Sequence, residues 1–144
     1  MAPVHESSSY EGTCHCGAIG FVYRTSLKLQ EWPIRACQCS FCRTHAVLTT
    51  SDPDGSLEFF ERVPACLHTY VFGGKTASFL LCAECGVYVG ARTLAEGKAF
   101  GIINVRALQS VLPHVSDPQA MDYADETMAE RTARRARRWT PVSA

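Results

Sequence analysis

Three cysteines, Cys37, Cys39 and Cys42, fall within six residues, and this cluster constrains the chain more than any other feature of its sequence. Neighbouring cysteines in one tight turn cannot easily reach the geometry of a disulfide. Their thiolates are good zinc ligands. Structural zinc sites use four protein ligands, whereas catalytic sites use three and leave the fourth position for water or substrate. The spacing therefore favours a zinc site with one open position.

A second set of four cysteines consists of two short pairs, each followed by glycine: Cys14, Cys16, Cys82 and Cys85. Two residues that lie two apart on an extended segment face the same side and can hold one metal ion. Four soft ligands close a tetrahedron, which is typical of structural zinc. We expect this second site to join the start of the chain to a hairpin much later, and to couple folding to metal binding.

The first cluster leaves three interpretations open. It forms an open zinc site, a site closed by His45 or another residue, or a metal-free group of reactive thiols. Three interpretations are open for Arg43: it binds a substrate carboxylate, it screens the charge of the thiolates, or it is simply an exposed side chain. His45 and His68 are the candidate proton carriers near this site, and each is equally compatible with a structural or surface role. Cys66, the eighth cysteine, is expected to be a small core residue.

Length, charge and cysteine content together favour a single-domain zinc protein of the cytoplasm. The chain has 144 residues and zero formal net charge, so it is long enough for a real core and has no overall bias towards nucleic acid or anionic membranes. Residues 1–7 contain neither a basic nor an apolar segment of the kind found in secretion signals, and no later run is long enough to span a membrane. Without a secretion signal, eight cysteines indicate metal ligands more than disulfides.

The pattern of the chain is mainly β. Residues 1–10 are polar and are expected to be a flexible lead-in to a single zinc-binding domain, residues 11–144. Gly73-Gly74 lies between two apolar runs and predicts a hairpin with strands at 67–72 and 77–82. After Pro113 the pattern becomes helical, with an N-cap signal at Ser116 and acidic residues preceding basic ones, which predicts a C-terminal helix over 116–138.

The C-terminal segment is rich in arginine, but its arginines are matched by nearby acids and no row of aromatic residues accompanies them. Glu130 and Arg134 stand at the i, i+4 spacing that supports a helix. We therefore predict a solvated, self-paired helix and no nucleic-acid binding.

Three motifs together resemble the signatures of the glutathione-dependent formaldehyde-activating enzyme family, which also includes centromere protein V. The motifs are Gly12-Thr13-Cys14-His15-Cys16-Gly17, Cys37-Gln38-Cys39-Ser40-Phe41-Cys42-Arg43 and Leu81-Cys82-Ala83-Glu84-Cys85-Gly86. The chain departs from the family pattern at Gln38, where histidine is common, and at Thr44-His45, where small residues are expected.

The resemblance implies a Mss4-like β-tent of antiparallel sheets with zinc knuckles. It also implies two zinc ions per chain, a structural one on the outer two motifs and a catalytic one on the middle motif. The implied reaction is that of a carbon–sulfur lyase run in reverse, with glutathione or a similar thiol adding to formaldehyde or another small aldehyde. Two other functions stay open: a zinc enzyme that activates water, and a zinc-stabilised binding module without turnover.

Overall fold

A computed structural model describes residues 6–143, which form eleven strands and two α-helices. The strands are β1 (Ser8–Thr13), β2 (Ile19–Thr25), β3 (Arg35–Cys37), β4 (Thr49–Thr50), β5 (Ser56–Glu61), β6 (Leu67–Tyr70), β7 (Ser78–Cys82), β8 (Tyr88–Ala95), β9 (Lys98–Asn104), β10 (Gln119–Met121) and β11 (Thr140–Pro141). The helices are α1 (Ser40–Thr44) and α2 (Met128–Arg138). No helix in residues 6–143 has the length and apolar character needed to cross a membrane.

The strands make two sheets. The small sheet has the order β1-β2-β5 and is antiparallel throughout. The large sheet has the order β10-β3-β4-β9-β8-β7-β6, and β11 pairs with β9 beside it. Within the large sheet β10 and β3 are parallel, unlike their neighbours. The mainly β prediction is confirmed, with this one exception to an antiparallel arrangement.

The main core lies between the two sheets, because alternate residues of a strand point to opposite faces. On β8 and β9, Val89 and Ile103 join this core. They meet Phe21 and Tyr23 of β2, which are fully buried. Trp32 is 1% exposed and packs edge-on against Tyr23, so its side chain is part of this core.

A second, smaller core covers the opposite face of the large sheet. The intervening residues Tyr88, Ala91 and Ile102 point to this side, where they pack with Phe41 of α1 and with Trp139 at the end of α2. The large sheet therefore separates two environments. One face packs on the small sheet, and the other carries both helices and the three-cysteine cluster.

The predicted N-terminal lead-in, residues 1–10, extends too far along the chain, because its last residues belong to a strand. Residues 1–5 lie outside the described residues, but β1 begins at Ser8 and pairs with β2 in register from Ser8 opposite Thr25 to Thr13 opposite Gly20. Tyr10 packs edge-on against Trp32 with 4.9 Å between ring centroids. The polar composition of the segment concealed a strand because only one of its faces is needed for packing.

The hairpin predicted around Gly73-Gly74 is confirmed as β6 and β7, with Tyr70 opposite Phe79 and Leu67 opposite Cys82. Its connection is longer than a two-residue turn. Gly73 has φ +59° and Lys75 also has a positive φ, so the left-handed residues are not the two adjacent glycines. The returning strand ends at Cys82, as predicted.

The C-terminal helix begins at Met128, not at residue 116. Residues Gln119–Met121 instead extend the large sheet as β10. The start of α2 is fixed by a capping box in which the Thr127 hydroxyl accepts from the Glu130 amide, and the Glu130 carboxylate accepts from the Thr127 amide. Glu130 is therefore occupied at the cap, and its predicted i, i+4 pair with Arg134 is wrong.

Residues after α2 connect the two sheets. Thr140 and Pro141 pair with β9 of the large sheet, while Val142 bridges Leu57 in β5 of the small sheet. The Ser143 amide also donates to the Leu57 carbonyl at 2.9 Å. The C-terminal segment thus holds α2 in place on the large sheet from beyond its last turn.

Two cysteine sites and the cavity beside them

The four-cysteine set forms where two hairpin turns meet. Cys14 and Cys16 lie between β1 and β2, while Cys82 and Cys85 lie at the turn between β7 and β8. In both turns a backbone hydrogen bond from the first cysteine closes the loop. The Cys14 amide donates to the Ile19 carbonyl and the Cys82 amide donates to the Val87 carbonyl, each at 3.0 Å. Two matching turns therefore bring the small and large sheets together at one group of sulfurs.

Glycine closes each of these turns. Gly17 has φ +83° and Gly86 has φ +77°, a region that other residues enter at a cost of about 1–2 kcal/mol. The Gly17 amide donates to the Cys14 carbonyl and the Gly86 amide to the Cys82 carbonyl. The backbone can therefore fold around the sulfurs without strain.

The four sulfurs fit a tetrahedral zinc ion. All four lie within 4.8 Å of one another, with 3.7 Å between the Sγ atoms of Cys14 and Cys16 and 3.6 Å between those of Cys16 and Cys82. Two sulfurs bound to one zinc at about 2.3 Å stand about 3.8 Å apart. Backbone amides also point at the sulfurs, since Cys82 Sγ accepts from the amide of Cys85 at 3.4 Å. Both spacing and donor chemistry suit zinc thiolates.

The three-cysteine set occupies the other face of the large sheet. Cys37 is the last residue of β3, Cys39 is the N-cap of α1, and Cys42 lies in the middle of that helix. Their sulfurs also lie within 4.8 Å of one another, and no fourth metal-ligating side chain joins them among the described residues. The donor set fits a zinc ion held by three protein ligands.

The three thiols are close enough to share protons. Hydrogen bonds with Cys37 and Cys42 lower the pKa of Cys39. Hydrogen bonds with Cys37 and then Cys39 raise the pKa of Cys42, and the bond with Cys39 raises the pKa of Cys37. The Cys42 amide adds a donor to Cys39 Sγ at 3.4 Å. The cluster therefore favours a thiolate at Cys39, which is the form that binds metal.

Phe41 anchors the turn that carries these cysteines. Its side chain is 7% exposed and sits among aromatic rings of the second core, with centroid separations of 4.6 Å to Phe79 and 5.1 Å to Tyr88. Because α1 is only five residues long, it has little stability of its own. The positions of the Cys39 and Cys42 sulfurs thus depend on the packing of this ring, whereas Cys37 is held by the pairing of β3 with β10.

Tyr88 lies beneath the cluster. Its side chain is 2% exposed, and its hydroxyl has no hydrogen-bond partner among the described residues. Burial raises the pKa of Tyr88 well above its usual range, and the nearby thiols of Cys42, Cys37 and Cys39 raise it further. Tyr88 is therefore a neutral phenol close to the sulfurs.

A cavity of about 310 Å³ opens beside the three-cysteine set, which forms part of its wall. This volume is at the lower end of the range for small-molecule sites, about 300–1,000 Å³. Apolar side chains of Phe72, Phe79, Ile102 and Trp139 line one part. Four arginines line the other part: Arg35, Arg131, Arg134 and Arg135. The cavity can therefore take a small molecule with both apolar and anionic portions.

Three residues singled out from the sequence lie outside the lining of this cavity. Arg43 is exposed on α1. His45 and His68 line a separate groove together with Phe41 and Tyr70. The His45 ring stacks on Phe41 at 4.1 Å and its Nδ1 lies 2.9 Å from the Phe41 carbonyl oxygen. The structure thus brings the two histidines to one groove, which shares Phe72 with the lining of the cavity, and their roles in proton transfer stay predictions.

Sequence reasoning missed the charged residues that do line the cavity. Arg131, Arg134 and Arg135 had been predicted to be solvated, but they face inward, whereas Arg137 and Arg138 are exposed. Burial lowers the pKa of Arg135 to about 10, and it also lowers the pKa of Arg35. One signal in the sequence could have helped to find them. The capping box at 127–130 marks the residue at which α2 begins.

Asp122 and Tyr123 also line the cavity, just after β10. The Tyr123 ring lies under the guanidinium of Arg134, with 3.6 Å from the guanidinium carbon to the ring centroid. Asp122 is exposed and accepts a hydrogen bond from the Ala124 amide at 3.0 Å. A carboxylate is therefore available on the wall of the cavity.

The family model for glutathione-dependent formaldehyde-activating enzymes matches residues 9–126, which contain all seven cysteines of the two sites. The chain belongs to the glutathione-dependent formaldehyde-activating enzyme family. The two sheets and the cysteine clusters agree with the β-tent expected for that family. The match ends before α2, so the helix that carries three of the cavity arginines lies outside it.

Among solved structures, the chain is similar to a Rhodobacter sphaeroides protein determined by structural genomics. The two are 28% identical, with a TM-score of 0.55, and the alignment covers 78% of this chain and 100% of the other. Among curated proteins, none matches the chain.

Proposed function

We propose that this protein joins a small thiol to a small aldehyde, with zinc bound at Cys37, Cys39 and Cys42 as the catalytic ion. The single observation that carries this function is the three-sulfur set in the wall of a cavity, with no fourth side-chain ligand among the described residues. Membership of an enzyme family named for glutathione and formaldehyde supports the choice of substrates. The set at Cys14, Cys16, Cys82 and Cys85 would be structural.

The reaction forms one carbon–sulfur bond. The thiol sulfur attacks the carbonyl carbon, the carbonyl π electrons move to oxygen, and that oxygen takes up the proton lost by the thiol, giving a hemithioacetal. A zinc ion held by Cys37, Cys39 and Cys42 would act as a Lewis acid at its open position and so favour the thiolate form of the incoming thiol. The cavity supplies orientation, which is the main contribution needed because thiols already add to aldehydes in water.

The chain offers two further aids to this addition. The apolar side chains of Phe72, Ile102 and Trp139 exclude water from part of the cavity. Asp122 is a carboxylate on the same wall, and we assign it the role of holding the thiol proton until the carbonyl oxygen accepts it. His45 and His68 are not assigned this step because they line a different groove.

The test uses protein that carries Co²⁺ at the three-cysteine site. A small thiol is titrated in, and the absorption spectrum of the cobalt is recorded at each step. Glutathione is expected to change the cobalt bands, because a fourth thiolate would enter the coordination sphere. Exchange NMR with ¹³C-formaldehyde and glutathione measures turnover in parallel. Cys39→Ser should abolish the acceleration of thiol addition to formaldehyde. A cobalt spectrum that no small thiol changes would contradict the proposal.

Asp122 also favours a second function, in which zinc activates water and a carboxylate moves the proton. Under that alternative, thiols leave the cobalt spectrum unchanged and Asp122→Asn abolishes a hydrolytic activity. Thiol-dependent bands with retained thiol addition in Asp122→Asn would instead favour the first function with solvent as the proton acceptor.

A further inference from the structure

The arginines of the cavity come from two different elements of the fold. Arg35 is the first residue of β3, two positions before Cys37, and Arg131, Arg134 and Arg135 belong to α2. All four line the same cavity as the three cysteines. A group of guanidinium side chains facing one small cavity creates a strongly positive potential there.

Two of these arginines already have a carboxylate partner. Arg134 makes a paired contact with Glu126, from Nε to Oε2 at 2.7 Å and from Nη2 to Oε1 at 3.0 Å. Arg131 Nε lies 3.6 Å from Oε1 of the same carboxylate, and its Nη2 donates to the Tyr123 carbonyl. Glu126 therefore holds both side chains, which leaves one acid to balance two guanidinium charges.

The Arg135 guanidinium has an N–H donor without a partner among the described residues. Its Nη1 donates to the Thr76 hydroxyl at 2.8 Å, and its guanidinium stacks over Trp139 at 4.8 Å from the ring centroid. Its Nε is buried and has no hydrogen-bond partner among the described residues. A buried donor without an acceptor costs free energy, so a ligand that supplies an acceptor to this atom would bind favourably. That acceptor is not a cysteine sulfur, since none lies within hydrogen-bonding distance of it.

Arg35 is held in a similar way. It donates to the Ser51 hydroxyl, which in turn donates to the Arg138 carbonyl at 2.7 Å. No carboxylate pairs with Arg35 among the described residues. The chain thus positions two guanidinium groups, on β3 and on α2, without neutralising either.

The shape of a guanidinium selects the ligand. Its planar fork of N–H donors matches a carboxylate through two parallel hydrogen bonds, which is why arginine is used to bind such groups. The cavity holds these donors and the three cysteines within one space of about 310 Å³, which limits the separation between a thiol and a carboxylate on one ligand.

We propose that Arg135, assisted by Arg35, binds the carboxylate of the thiol substrate, so that the protein selects thiols that carry a carboxylate over neutral thiols. This inference rests on the proposed function, since the thiol end would occupy the three-cysteine site. The selecting residue lies on α2, beyond the part of the chain that the family model matches.

The test compares two ligands of equal size on the zinc-loaded full chain, 3-mercaptopropionate and its neutral amide, by isothermal titration calorimetry. The acid is expected to bind about 10-fold to 100-fold more tightly, the range for hydrogen bonds to charged groups. Arg135→Gln should bring this ratio close to one, because it weakens binding of the acid far more than binding of the amide. Thermal unfolding and zinc content verify that the variant is folded and loaded.

Arg137→Gln is the matched control, because it removes the same charge from an exposed position of the same helix. It should keep the preference for the acid. Equal affinity of the unaltered protein for acid and amide overturns the inference, as does an equal loss of preference in both variants, which would indicate a general field effect.

A measurement without any thiol separates this inference from the proposed function. Millimolar propionate is expected to shift the ¹⁵N signal of Arg135 Nε saturably, whereas propionamide leaves it in place. If no thiol binds but propionate still produces this shift, the proposed function fails and the carboxylate site stands. If propionate produces no saturable shift, the carboxylate site is wrong.

Discussion

At the scale of single residues, the cysteines differ in what holds them. Cys14 and Cys82 are almost fully buried, at 2% exposed each, and their backbone groups pair across hairpin turns. Cys39 is half-buried and is the N-cap of a five-residue helix. The four-cysteine site is therefore part of the framework, whereas the three-cysteine site is attached to it through Phe41.

This difference predicts unequal effects from equal substitutions. Cys39→Ser should remove one zinc and the activity but leave a folded protein. Cys85→Ser should compromise folding, because metal binding at the closed site contributes directly to the folded state. Zinc per chain and circular dichroism measure both effects, with Cys66→Ser as a control for losing a cysteine that neither cluster contains. Similar losses of structure from Cys39→Ser and Cys85→Ser would contradict the division between the sites.

The cysteine sites could be predicted from the sequence because their ligands are close along the chain. A gap of one or two residues fixes how far apart two sulfurs can lie, whatever the rest of the fold does. Arg135 and Cys37 line the same cavity only because α2 packs on β8 and begins at Met128. No local spacing encodes that docking, so the charged wall of the cavity escaped prediction.

At the scale of elements, α2 has no buried residue and depends on polar contacts to stay in place. Sequence reasoning read the segment after Pro113 as one long helix because Ser116 and Pro118 imitate a helix start. Pairing of Gln119–Met121 with β3 overrides that signal. Tertiary pairing gains backbone hydrogen bonds that a local cap cannot match.

Glu126 gives this element a predictable dependence on pH. Hydrogen bonds from Arg134 lower the pKa of Glu126 below its ordinary value of 4.5. A carboxylate whose pKa is lower in the folded state contributes stability that is fully present above the unfolded pKa and is lost as pH falls through the folded one. Glu126→Gln should therefore reduce stability by about 1–2 kcal/mol at pH 7 and flatten its fall below about pH 4.5.

Urea unfolding at several pH values tests this expectation. Asp125→Asn is the control, since it neutralises a neighbouring exposed acid. An unchanged pH profile in Glu126→Gln would mean that the contact with Arg134 contributes nothing to stability.

At the scale of the whole molecule, the two cysteine sites lie on different parts of the architecture. The closed set joins the β1–β2 turn to the β7–β8 turn, and so links the small sheet to the large one. The open set lies on the far side of the large sheet, within the second core. Losing metal from one site should therefore have different consequences from losing it at the other.

We expect a chelator to remove zinc in two stages. The first ion should leave the three-cysteine site, which has only three protein ligands and borders the cavity, without a change in far-ultraviolet circular dichroism, and the second should leave together with cooperative unfolding. A colorimetric zinc indicator read alongside the dichroism signal follows both stages. Release of both ions in one step that coincides with unfolding would contradict this order.

The last residues of the chain carry a consequence for how ligands bind. Thr140 and Ser143 fasten the chain to both sheets just beyond α2, while Glu126 fastens it just before. A helix tied down on both sides acts as a fixed wall and cannot swing like a flap. The binding site is thus shaped in advance, and a ligand arriving there spends little of its affinity on ordering the protein.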